Sequence, residues 1–124
     1  MNRNYQLGLL YLVHLLMSAD GVVDENETQA LNSIKSKEGI SENIFDEFKE
    51  AIRTKRGREI YQTGIEYMNR CTDEEKLRAF VILYKMSEVD GRVHVKEVRL
   101  LLYCIKVSGI EFDDVVAKAS ISSI

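Results

Sequence analysis

The chain has 124 residues, no proline, and a net charge of −3 from 20 acidic and 17 basic residues. That length suits one domain, which at this size buries about two-thirds of the surface its unfolded chain exposes. Two cysteines, Cys71 and Cys104, are too few for a disulfide scaffold. The acidic balance argues against a dedicated nucleic-acid binder, whose footprint is a basic excess.

The predicted elements are helices throughout. The first covers about Tyr5–Ser18. Its run Leu9–Met17 is apolar apart from His14 and looks a little like a signal peptide, but it is shorter than the ~20 apolar residues of a membrane span. The second helix covers about Glu25–Lys37 and is stopped by Gly39. The third opens after Ser41, an N-cap residue, places Ile44, Phe45, Phe48 and Ile52 on one face, and ends near Gly57.

A fourth helix, about Arg58–Asn69, has Gly64 as a weak point. Thr72-Asp73-Glu74-Glu75 reads as a capping box that opens a fifth helix through Leu77, Phe80, Val81 and Tyr84. The sixth, about Val95–Val107, carries Val98, Leu101, Leu102 and Ile105 and ends at Gly109; a short seventh is expected over Phe112–Ala119. No segment alternates long enough to be a strand.

One motif occurs twice. Asp20-Gly21-Val22-Val23-Asp24-Glu25-Asn26-Glu27 and Asp90-Gly91-Arg92-Val93-His94-Val95-Lys96-Glu97 both read D-G-x-V-x-x-x-E, 70 residues apart. At the same spacing Leu31 matches Leu101, Gly39 matches Gly109 and Ile40 matches Ile110. An apolar helical run precedes each copy, which makes removal of the first run as a signal improbable. The expected architecture is an all-α bundle of six to seven helices in one domain over residues 1–124. Its related halves, about 5–45 and 75–118, are expected to pack about a pseudo-twofold.

The motif has the Asp-Gly and closing Glu of an EF-hand loop. In that register the first ligand position holds Leu16 in one copy and Met86 in the other, so the EF-hand reading fails. A family resemblance fits better. An apolar helix, Ala-Asp-Gly-Val-Val-Asp-x-x-Glu, and a second copy reading Val-Asp-Gly-Arg-Val-x-x-x-Glu resemble the TerB-like (tellurite-resistance protein B) family over about Leu9–Ile110. A related domain occurs in membrane-anchored DnaJ-like co-chaperones; this chain resembles the stand-alone form.

The resemblance implies a compact seven-helix fold and links to tellurium-compound resistance, stress response and phage defence in bacteria. It also implies a cytoplasmic adaptor, peripheral at the inner membrane, that joins a membrane protein of a stress-resistance system to cytosolic components. Divalent metal binding through the acidic loops goes with it, on Asp20, Asp24 and Glu27 in the first copy and Asp90 and Glu97 in the second. Carboxylate oxygens suit Ca²⁺ or Mg²⁺. His94 stands where the first copy has Asp24, so the two loops are unequal. Were the loops to meet without a cation, some of these acids would shift upward in pKa.

Capping accounts for several of the same residues without a ligand: Asp24 as N-cap with Glu27 at N3, and His94 with Glu97. The second candidate surface is basic. Arg53, Lys55, Arg56 and Arg58 suit an anion or a protein partner, or else a solvated helix end favoured by the macrodipole. His14, His94, Cys71 and Cys104 match no zinc spacing; Cys104 reads as buried, and Cys71, between helices, as exposed. The six tyrosines read as core residues with a polar tip. No phosphate loop, dinucleotide fingerprint or nucleophile elbow occurs, so a non-enzymatic role is expected.

Overall fold

A computed structural model of the chain describes residues 2–17, 25–89 and 95–121, with side chains described over 2–17, 28–86 and 98–121. Seven helices are present among these residues: α1 (Arg3–Met17), α2 (Glu25–Lys37), α3 (Glu42–Thr54), α4 (Gly57–Asn69), α5 (Asp73–Val89), α6 (Val95–Val107) and α7 (Phe112–Ile121). No strand occurs among them.

α1 is the hub. Every residue from Tyr5 to Val13 is buried, on all faces of the helix. A helix that is apolar all round is stable only when surrounded, and α1 touches α2, α3, α4, α5 and α6. Its closest neighbour is α4, and two glycines set that approach. A Cβ on Gly8 would stand 3.0 Å from Met68 Cε and 3.2 Å from the Met68 amide nitrogen, and one on Gly64 would stand 3.0 Å from Tyr11 Cβ. Gly64, expected to weaken α4, instead lets the two backbones meet. One core draws side chains from all seven helices.

Local chemistry sets the helix ends. Ser41 Oγ accepts from the Ile44 amide at 3.3 Å and caps α3. At α5 the capping box is complete: the Glu75 amide donates to Thr72 Oγ1 at 3.2 Å, and the Thr72 amide donates to Glu75 Oε1 at 2.9 Å. α2 and α6 end alike. Gly39 and Gly109 take φ of 63° and 76°. The Ile40 amide returns to the Lys35 carbonyl at 3.0 Å, and the Ile110 amide to the Ile105 carbonyl at 3.2 Å. This is the six-to-one closure of a Schellman motif.

Both of these ends are gripped by α5. Arg78 donates from Nε to Glu38 Oε1 at 2.9 Å and from Nη2 to Oε2 at 2.8 Å, and Tyr5 Oη donates to the same Oε1 at 2.6 Å. The Glu38 side chain is only 2% exposed. Two residues before Arg78, Lys76 Nζ donates to the Ser108 carbonyl at 3.1 Å, a cation at the C-terminal end of α6.

Candidate functional site

The candidate metal donors fall where the two repeated motifs lie. Asp20, Asp24 and Asp90 are outside the described residues. Glu27 and Glu97 are the third residues of α2 and α6, with side chains outside the described set. α2 opens at Glu25 and α6 at Val95, so each motif leads into a helix of 13 residues at the same register. Among the described residues, no three His, Cys, Asp or Glu side chains gather closely enough to hold an ion.

The imidazole and thiol groups among the described residues, His14, Cys71 and Cys104, are engaged elsewhere. His14 meets the Phe48 ring edge-on at 6.1 Å. Cys104 is buried, which pushes its thiol up to about 12. Cys71, expected to be exposed, is also buried, and Sγ donates to the Tyr67 carbonyl at 3.5 Å. Burial, helped by the Glu75 charge, pushes its thiol up to about 11. Cys71 lies in the short turn between α4 and α5 and belongs to the core cluster.

The basic residues sit at a corner. α3 stops at Thr54, Lys55 and Arg56 are extended, and α4 begins at Gly57. Arg53 is in the last turn of α3 and pairs with Glu50 at 3.2 Å, both side chains well exposed. Such a pair contributes about 0–1 kcal/mol. Arg56 is the N-cap residue of α4, with no side-chain capping bond, and Arg58 lies in its first turn. The helix dipole therefore accounts for Arg53 and for Lys55, the C-cap residue of α3, but not for Arg56 and Arg58. At the start of α4 it disfavours a cation, contrary to the expectation that the cluster is one basic helix end.

The tyrosines divide. Tyr5 and Tyr11 are core, and Tyr61, Tyr67 and Tyr84 are half-buried. Tyr103, expected among the core residues, is 54% exposed on α6 and stacks on Tyr61 at 5.8 Å. Leu102, expected on the buried face of α6, is also exposed. The core register of α6 runs through Leu101, Cys104, Ile105 and Ser108 instead. Ser108 conceals that register in the sequence because a serine does not look like a core residue.

No helix among the described residues is long and apolar enough to cross a membrane. The architecture is an all-α bundle built around one enclosed helix. Compared with protein families, residues 6–118 match the model of the tellurite resistance protein TerB, nearly the whole chain, and the chain belongs to the TerB family. Neither a curated protein nor a solved structure matches it.

Proposed function

We propose that this chain is a non-enzymatic TerB adaptor domain of the bacterial stress response, acting in the cytoplasm, that binds a divalent cation at its two Asp-Gly loops. The observation that carries the reading is the family match over residues 6–118. The repeated entry into α2 and α6 supports it, since each helix opens at the same step of the motif. The matched closures at Gly39 and Gly109 support reading the chain as two related halves. Hard-cation chemistry follows from the oxygen donors Asp20, Asp24, Glu27, Asp90 and Glu97.

Thermal unfolding with added Ca²⁺, Mg²⁺, Mn²⁺ or Zn²⁺ tests the cation. Binding to the folded state raises the midpoint with concentration, by about 2.7 kcal/mol of stability at a hundredfold excess over Kd. The Asp20→Asn/Asp90→Asn variant should lose that rise. No shift with any ion at millimolar concentration leaves capping as the role of these carboxylates.

A second reading is a metal-free interaction domain using Arg53, Lys55, Arg56 and Arg58. Arg56 and Arg58 favour it, because the helix dipole does not account for cations at the start of α4. Capture of a partner that is lost in Arg53→Glu/Arg56→Glu but kept in Asp20→Asn/Asp90→Asn would select this reading.

A further inference from the structure

α6 shows an outward face that its fold does not require. Leu102 is 41% exposed, Tyr103 54% and Val107 38%. Arg99 and Lys106 are exposed at interleaved positions. Spacings of three and four residues put these five side chains on one stripe, about 12 Å long from Arg99 to Val107.

α2 is an internal control. It has the same length, and it buries Leu31, Ile34 and Glu38 where α6 buries Leu101, Cys104 and Ser108. At the three positions matching the apolar stripe, α2 carries Asn32, Ser33 and Lys37, all exposed. At the two matching the cations it carries Gln29 and Ser36. The same place in a helix of the same register is thus filled by polar residues once and by apolar and basic residues once. Burial in the core does not explain the difference, because none of the five side chains is part of it; of the five, Tyr103 stacks on Tyr61.

We propose that this face of α6 is the docking site for an acidic amphipathic helix of a partner protein. The inference rests on the adaptor reading and gives it a location and a partner chemistry. Apolar side chains at these spacings fit a helix laid along α6, and Arg99 and Lys106 select Asp and Glu on its flanks. The stack on Tyr61 holds the Tyr103 ring in place before binding, which lowers the entropy lost on docking. A second copy of the chain fits poorly, since a twofold pairing of this face sets its cations against themselves. An anionic membrane is favoured by clusters of about four to eight basic residues, and the stripe has two.

The test uses a synthetic amphipathic helix of about 18 residues, with leucines on one face and glutamates on its flanks, beside its lysine counterpart. Amide resonances of the whole chain are followed during titration. The glutamate peptide should perturb residues 98–107 and Tyr61, and bind about tenfold more tightly than the lysine peptide. Leu102→Asn/Tyr103→Ser/Val107→Lys transplants the α2 residues and should weaken binding by at least about tenfold. Arg99→Glu/Lys106→Glu should reverse the preference.

No perturbation of α6 at about 1 mM peptide, or equal binding of both peptides, overturns the proposal. So does a dimer that the triple variant dissolves, or binding of this face to phosphatidylglycerol vesicles. Perturbation confined to the Arg53–Arg58 corner overturns this face while leaving the adaptor reading standing.

Discussion

The backbone of Gly8 lies against Met68 so closely that a Cβ at Gly8 would stand 3.2 Å from the Met68 amide nitrogen. A main-chain atom cannot swing aside as a side chain can. Gly8→Ala gains about 1 kcal/mol of helix propensity, but the forced shift of α1 from α4 costs about 1–3 kcal/mol. Net destabilisation in urea unfolding is the expected result, with Gly64→Ala behaving alike against Tyr11. Gly57→Ala is the control, because a Cβ there meets nothing within 4 Å. It should be neutral or slightly stabilising. Stabilisation of all three alike would show that the crossing has slack.

Glu38 joins α1, α5 and the end of α2 through Tyr5 and Arg78. Burial raises its pKa, but the hydrogen bonds from Arg78 and Tyr5 and the Arg78 charge outweigh that, so the net shift is downward. A depressed folded pKa means the contribution is complete above the unfolded value of about 4.3 and is lost as pH falls through the folded value. Tyr5 runs the other way. Burial first, then the hydrogen bond to Glu38 and its charge, raises the phenol, so its contribution holds below about pH 10 and is lost above.

Glu38→Ala leaves a buried hydroxyl without its acceptor and should cost about 2–4 kcal/mol. The Arg78 side chain, 38% exposed, can still reach water, which favours the lower half of that range. Unfolding midpoints measured from pH 3 to 8 should show a shallower acid limb in Glu38→Gln than in the parent. An unchanged limb would assign acid sensitivity to other carboxylates.

Both cysteines should be inert in the folded chain. The thiolate is the reactive form, and burial disfavours it at Cys71 and Cys104 alike. A thiol reagent at pH 8 should label neither site at a useful rate until denaturant is added, when both react. Fast native labelling of Cys71 would mean that the α4–α5 turn opens readily.

Much of the fold was legible because its boundaries depend on local chemistry. Thr72 with Glu75, Ser41 alone, and the glycines at 39 and 109 act on their own few neighbours, so the sequence around each announces the helix end. What escaped depends on distant partners. Glu38 meets Arg78 from 40 residues away, and Gly64 serves a backbone that passes more than 50 residues earlier. On α6, three- and four-residue spacing admits either Leu101 or Leu102 as the buried position, and the choice follows from α1 and α5 packing on one side. The Asp-Gly loops were legible as a repeated motif, while Asp20, Asp24 and Asp90, proposed above as cation donors, lie outside the described residues.

The enclosure of α1 has a consequence for synthesis. The helix that needs the most shelter leaves the ribosome before any of its neighbours, and α6, the last of them, begins about 80 residues after it ends. At roughly 5–20 residues per second the apolar run Leu9–Met17 waits on the order of ten seconds for its full set of neighbours. Until then it is a sticky segment in a crowded exit zone, so newly made chains should depend on holding chaperones far more than the finished protein does.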